Sequence, residues 1–557
     1  LKRTHIVPEA EEDLRRIGRS LGFRQDPVEE LFEQWRRQGR EVRRIHEKLF
    51  YRPLLNAVAR LDAGSARLTA EAAQERLTAL GYTDPEGALR HLHALTSGVS
   101  RRAAIQRTLL PVLLGWFADG PDPDAALLGF RRMSDDLGST PWYLRLLRDE
   151  SLAAERMARI LTASRFASDL LLRSPDGVSL LVEDDDLQPR SRESLESEAL
   201  SAVLRHESPE DAAAAIRSIR RRELFRISAA DLLGRLSTEQ VMLAISELTT
   251  ATLVGALQIA VRSAAQASPD GRIPTRFAII AMGRYGGREM GYASDADVMF
   301  VHDPLPEADE QAATDAAFAM ANEVRRLLMA PSDDPALVVD ADLRPEGRQG
   351  PLVRTLDSYR AYYERWSAPW EAQALLRARP VAGDSDLGES FEGLIDALRW
   401  PESGLGAEPL REMRRLKARM ESERLPRGAD PTLHTKLGRG GLSDVEWVVQ
   451  LLQMQHGDTE SGLRTTSTLD ALDAAEQAGL VEAEDAAILR EAWLLATRVR
   501  NAHVLALGRA SDLVPAQGRD LAAVAFLCGF DPPAELLEEY WRATRRARTV
   551  VERLFYG

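Results

Sequence analysis

The chain has 557 residues, with 86 acidic against 72 basic side chains, a formal net charge of −14 and only 6% aromatics. That balance excludes the broad basic surface of a nucleic-acid binder, and a single cysteine, Cys528, excludes a disulfide scaffold. With no unbroken run of about 18 apolar residues and a charged rather than signal-like start, no membrane contact and a cytoplasmic location are expected.

The length allows about two to four domains, each with its own core. The first residue is leucine rather than methionine, so a fragment of something longer is expected. Only four basic residues are lysines (Lys2, Lys48, Lys417 and Lys436), a bias toward arginine that singles out the lysines that persist.

From about residue 9 to 265 the apolar spacing reads as helices, as in DPVEELFEQWRRQGREVRRIHEKLF, where Val28, Leu31 and Trp35 share a stripe. YTDPEG, ADGPDPD, RSPDG and ESPED break them. The acidic run EDDD at 183–186 reads as a solvated loop. Near 275 the texture changes: RFAIIAM, DVMFVHD and ALVVDADL read as strands, with a helix over EADEQAATDAAFAMANEVRRLLMA between the second and third. Helices resume after about 385, and Cys528, within AVAFLCGF, reads as a buried inert thiol. The expected class is α+β, predominantly helical, with a small mixed-sheet domain embedded between helical regions.

Residues two apart on a strand share a face, so Asp295 and Asp297 in SDADVMFV would project side by side. Two neighbouring carboxylates repel, and a divalent cation is their natural compensation. Magnesium suits such oxygen ligands, and two ions can clamp the attacking and leaving oxygens of an in-line displacement at phosphorus. VVDADLRP offers Asp340 or Asp342 as a third carboxylate. Gly283, Gly286 and Gly287, just after the first strand, would let backbone N–H groups approach phosphate, with Ser294 as a further nucleotide-binding candidate. The plain alternative is a turn between two strands.

GRYGGREMGYASDADVMFVHD, VVDADLRPEGRQGPLV and HTKLGRGGLSDVEWVVQLLQ together closely resemble the glutamine synthetase adenylyltransferases, bifunctional members of the DNA polymerase β-like nucleotidyltransferase superfamily. HEKLFYRPLL and WEAQALLRARPVAGD extend the resemblance over essentially the whole chain.

The resemblance implies the adenylylating, C-terminal half of such an enzyme, which transfers AMP from ATP to a tyrosine of glutamine synthetase. It implies magnesium, two ions by analogy, and a PII-type signalling protein as a further partner. It divides the chain into 1–60 (the end of a preceding unit with a connecting helical region), 61–235 (helical), 236–385 (nucleotidyltransferase) and 386–557 (C-terminal bundle). Asp295 and Asp297 match the metal-binding pair, Asp340 the family's third aspartate, and Gly286 and Gly287 the phosphate-loop glycines. Asp342 stands where relatives often have arginine, which leaves its part beside Asp340 open. Arg344 reads equally as a phosphate contact or a surface residue.

In TKLGRGGLSDVEW, Ser443 followed by Glu446 reads as a capping box, with Trp447, Leu451 and Met454 on the stripe behind it. The glycine turn entering that helix, flanked by Lys436 and Arg439, is a candidate anion site for nucleotide or acceptor. Deadenylylation, uridylyl transfer and a catalytically silent scaffold are the competing functions. Intact Asp295, Asp297 and Asp340 argue against the scaffold, and the connecting region with no ligand-sensing module downstream argues against uridylyl transfer.

Overall fold

The computed structural model describes residues 8, 10–24, 26–32, 34, 35, 38, 67–97, 101–138, 140–366 and 368–557. HEKLFYRPLL and most of 1–60 lie outside the described residues. The chain divides into two compact units, Leu1–Thr162 and Ala163–Gly557. The boundaries expected at 235 and 385 both fall inside the second.

The first unit is helical among the described residues. Its sequence breaks serve as helix starts: Asp84 accepts from the Gly87 N–H at 2.9 Å and Asp122 from Ala125 at 3.1 Å, each followed by a proline at the first helical position. Leu31 is buried, but Trp35 is 62% exposed, so it does not share the buried stripe expected for it.

In the second unit, helices Arg192–Arg205, Pro209–Leu232 and Thr238–Ala267 pack together beneath a five-stranded mixed sheet. Thr238–Ala267, although broken by polar residues, is long and apolar enough by length and composition to cross a membrane, but 72% of its apolar window is buried. A helix apolar on most sides is also what an interior demands.

The sheet runs β3-β2-β1-β5, with β4 also on β2. β1 is Thr275–Ala281, β2 Ala296–Pro304, β3 Val339–Asp340, β4 Val353–Thr355 and β5 Arg379–Gly383. β2 is antiparallel to β1 and parallel to β3, and a parallel neighbour needs a crossover, which helix Glu310–Met329 supplies. Arg217 donates to the Leu327 carbonyl and Arg220 to that of Pro335 (2.8 Å), pinning the crossover's end to the helical layer.

Along one sheet face Met299 and Val301 of β2 pack against Tyr359, Tyr363 and Phe391, from helices Leu356–Trp366 and Ser385–Arg399. Asp297 lies on that same face, at the end where the apolar cover stops.

The C-terminal bundle has its own core around Trp493, Trp447 and Tyr540. Within it Lys417, 2% exposed, is ion-paired with Asp444 and Glu421 and lies 6.0 Å from the Trp447 ring centre. Arg548 reaches Asp444 at 3.0 Å, and Asp444 accepts from the Gly440 N–H at 2.7 Å. Lys417→Met is expected to cost about 3 kcal/mol, the low end for breaking a buried pair because Arg548 still faces Asp444. Urea unfolding checks it.

Candidate active site

The parallel register of β2 and β3 sets Asp297 directly opposite Asp340. Opposed residues on neighbouring strands share a face, so the two carboxylates stand side by side. Asp295 precedes β2 by one residue and is more exposed than Asp297, though partly shielded from solvent at its carboxyl. Burial and then the Asp340 charge push Asp297 up to about 7, with Lys436 pulling the other way. The same three influences, in the same order, act on Asp295, whose carboxyl is also raised. Protonation partly relieves the repulsion, and a bound cation would relieve it while keeping both groups ionised.

Asp340 Oδ1 accepts from the Asp342 N–H at 2.7 Å. Asp342 itself is turned to Arg348 (2.5 Å) and Arg344 (3.7 Å), so the charge facing Asp295 and Asp297 is that of Asp340. Arg344 donates to the carbonyls of Ala341, Gly350 and Arg348, at 2.7, 3.2 and 3.3 Å, and thereby shapes its own loop. Among the described residues no three His, Cys, Asp or Glu side chains converge closely enough to hold an ion as they stand. The fit to magnesium is therefore one of donor chemistry and uncompensated charge, all-oxygen ligands pressed together, rather than of a finished cage.

The glycine run between β1 and β2 forms a single helical turn, Gly283–Gly286. The N–H groups of Gly286 and Gly287 bond to the carbonyls of Met282 (2.7 Å) and Gly283 (3.2 Å) and close this turn. Steric demand explains two of the glycines. Gly283 has φ +52°, and a Cβ there would lie 2.3 Å from Asp297 Oδ2. At Gly286 a Cβ would lie 1.8 Å from the Arg377 carbonyl oxygen. Ser294 Oγ accepts from the Gly291 N–H at 2.8 Å, tightening the loop before Asp295.

Helix Leu442–His456 begins one residue earlier than expected, with Gly441 at its N-cap. This corrects the capping-box reading: Ser443 is buried inside the helix, and its N–H bonds to the Lys436 carbonyl at 3.0 Å while that of Leu442 bonds to Thr435 at 2.9 Å. With those groups engaged, the backbone of this helix start offers little to an anion. Lys436 is exposed and its charge acts on both aspartates, whereas Arg439, also exposed, does not figure among the charges acting on either. Glu446 faces Arg377 at 3.7 Å instead of capping, and the Arg377 and Arg284 charges outweigh burial to hold its carboxyl below the usual range.

That contact belongs to a buried charge cluster. Arg377 donates to Glu289 Oε2 at 2.7 Å and to the Thr468 hydroxyl. Glu289 accepts from both the N–H and the hydroxyl of Thr468. Arg284, on the glycine turn, donates to Thr497 Oγ1 at 3.1 Å and lies 5.5 Å from the Trp493 ring centre.

Residues 154–394 match the family model described as glutamate-ammonia ligase adenylyltransferase, and 411–556 match that described as PII-uridylyltransferase. The bifunctional glutamine synthetase adenylyltransferase/adenylyl-removing enzyme of Streptomyces avermitilis is 60% identical over 576 residues, covering 100% of this chain and 57% of that protein. Those of Leifsonia xyli and Mycobacterium tuberculosis (strain CDC 1551 / Oshkosh) are 51% and 47% identical, again over 100% of this chain, and are covered over 55% and 57% of their lengths. The chain belongs to the glutamine synthetase adenylyltransferase family. It spans a little over half the length of the relatives it matches.

In this adenylyltransferase-family chain, Arg377, Glu289, Arg284 and Asp231 went unmarked in the sequence, because their partners are far away along it. The one local hint was charge in apolar company, as in QALLRARPVAG. Asp231 accepts from the Tyr292 hydroxyl at 2.8 Å and so anchors the loop that leads into Asp295. Burial pushes its carboxyl up to about 6. Its contribution to stability is thus present below its ordinary value of 3.8 and lost as pH rises through about 6. Asp231→Asn keeps an acceptor for Tyr292 and is expected to raise stability above pH 6 and flatten the slope below it; urea midpoints on either side of that pH check it. Gly286→Ala, forced against the Arg377 carbonyl, is expected to cost at least about 2 kcal/mol by the same measurement.

Proposed function

We propose that this chain transfers AMP from ATP to a tyrosine of glutamine synthetase and releases pyrophosphate. The observation that carries this reading is the opposed pair Asp297 and Asp340 with Asp295 beside them, a surplus of carboxylate charge faced by Lys436. Asp295, Asp297 and Asp340 would hold magnesium, which supplies charge neutralisation at the phosphates and a lowered cost of ionising the attacking hydroxyl.

The chain's own residues do the rest. Lys436 neutralises phosphate charge from the bundle side. Gly283 keeps the wall beside Asp297 free of side-chain bulk. The Asp231–Tyr292 bond fixes the loop leading to Asp295. A tyrosine hydroxyl, with a pKa of about 10, loses its proton toward Asp340 as its oxygen forms the bond to the α-phosphorus; the bond from that phosphorus to the bridging oxygen breaks, and pyrophosphate departs.

The core of this activity is read at 236–385, with 386–557 as the bundle that covers it and a PII-type protein as a regulatory partner. The reverse reaction, phosphorolysis of AMP-tyrosine, is the second reading, because the relatives' names include an adenylyl-removing activity.

Incubation with glutamine synthetase, magnesium and α-labelled ATP is expected to label the acceptor. Asp295→Asn with Asp297→Asn is expected to lower that rate by about a thousandfold, the size of several kcal/mol of transition-state stabilisation. Phosphate-dependent release of AMP without transfer would assign the chain to the reverse reaction instead.

A further inference from the structure

The two family matches meet between residues 394 and 411, so the carboxylates and Lys436 come from different modules. Their buried contact is ionic at its centre. Arg377 and Glu289, 6% and 3% exposed, belong to the sheet module; Thr468 and Glu446 belong to the bundle. Thr468 gives Glu289 its N–H and its hydroxyl, and the same hydroxyl accepts from Arg377. As glue this is a poor choice, since apolar side chains of similar volume hold two surfaces together at least as well as a buried ion pair. What it adds is geometric register, because each bond is directional and any slip leaves a buried charge unpaired.

Both sheet-module members touch the catalytic turn. The Arg377 carbonyl lies where a Gly286 Cβ would be, and Glu289 follows the turn directly, its N–H bonded to the Arg284 carbonyl at 2.8 Å.

We propose that Arg377, Glu289 and Thr468 form a positioning latch that sets the register of the bundle on the catalytic turn and thereby delivers Lys436 to the nucleotide's phosphates. This rests on the reading of the site given above and adds to it that the Lys436 charge is supplied across a module boundary. The three latch residues act through Lys436.

Glu289→Gln keeps the volume and one acceptor but sets an amide donor against Arg377 or Thr468. Thr468→Val removes the hydroxyl and keeps the N–H. With circular dichroism confirming the fold, ATP affinity is measured by equilibrium dialysis of the whole chain without any acceptor, for each latch variant, for Lys436→Met and for the doubles.

Each latch variant is expected to bind ATP about tenfold more weakly, a coupling typical of one hydrogen-bonded network. Each double is expected to bind no more weakly than Lys436→Met alone. Additive losses in the doubles, or latch variants that bind as the parent does, would overturn the latch. So would undiminished affinity in Lys436→Met, while AMP transfer by the parent chain would leave the reading of the carboxylates standing. The expected affinity pattern in a parent chain that transfers no AMP would support the latch and sink the transfer reading.

Discussion

Everything around the site answers one constraint, the cost of setting Asp297 and Asp340 side by side at the end of a buried sheet face. Two like charges there cannot both stay ionised without a cation in reach. The protein brings Lys436 from the bundle and the distributed charge of Arg377, and still leaves Asp297 raised to about 7. The physical signature of the site is this concentration of carboxylate charge at one end of the sheet face. Placing the two aspartates on paired strands fixes the spacing of their backbones by strand pairing, which leaves only side-chain rotation to draw the carboxylates apart.

The parts of this arrangement that were legible in the sequence are those carried by local periodicity. β1, β2 and the crossover helix emerged because each is long enough to show an apolar run or a helical stripe, and Asp295 and Asp297 because strand alternation is strict. The third run, ALVVDADL, also read as a strand, although only Val339–Asp340 pairs within it, whereas β4, Val353–Thr355, is too short to show any period. β5 was hidden within a stretch marked only by family likeness.

The two capping boxes show how a local signal fails. Ser443 and Glu446 have the right spacing, but Gly441 caps that helix and loop carbonyls take its first N–H groups. Ser237 and Gln240, unremarked in the sequence, make a true reciprocal box. The pattern is the same in both; tertiary contacts decide. The charge cluster left only the hint of charge in apolar company, since Glu289 and Arg377 are 88 residues apart.

Helix Thr238–Ala267 gives the second unit a mechanical character. Its 30 residues make a rod roughly 45 Å long. Near one end Met242 sits in the bundle core. A turn further on, Ser246 accepts from the Met290 N–H at 3.3 Å, and Thr250 shares a 2.9 Å hydrogen bond with Tyr285 of the glycine turn. Beyond these, Gly255 lets Ile216 and Ala199 of the helical layer close in. A rod tied at successive points to bundle, turn and helical layer is a shared reference for all three, so Tyr285 and Met290 hold their spacing from one another through a single helix rather than through the loop between them.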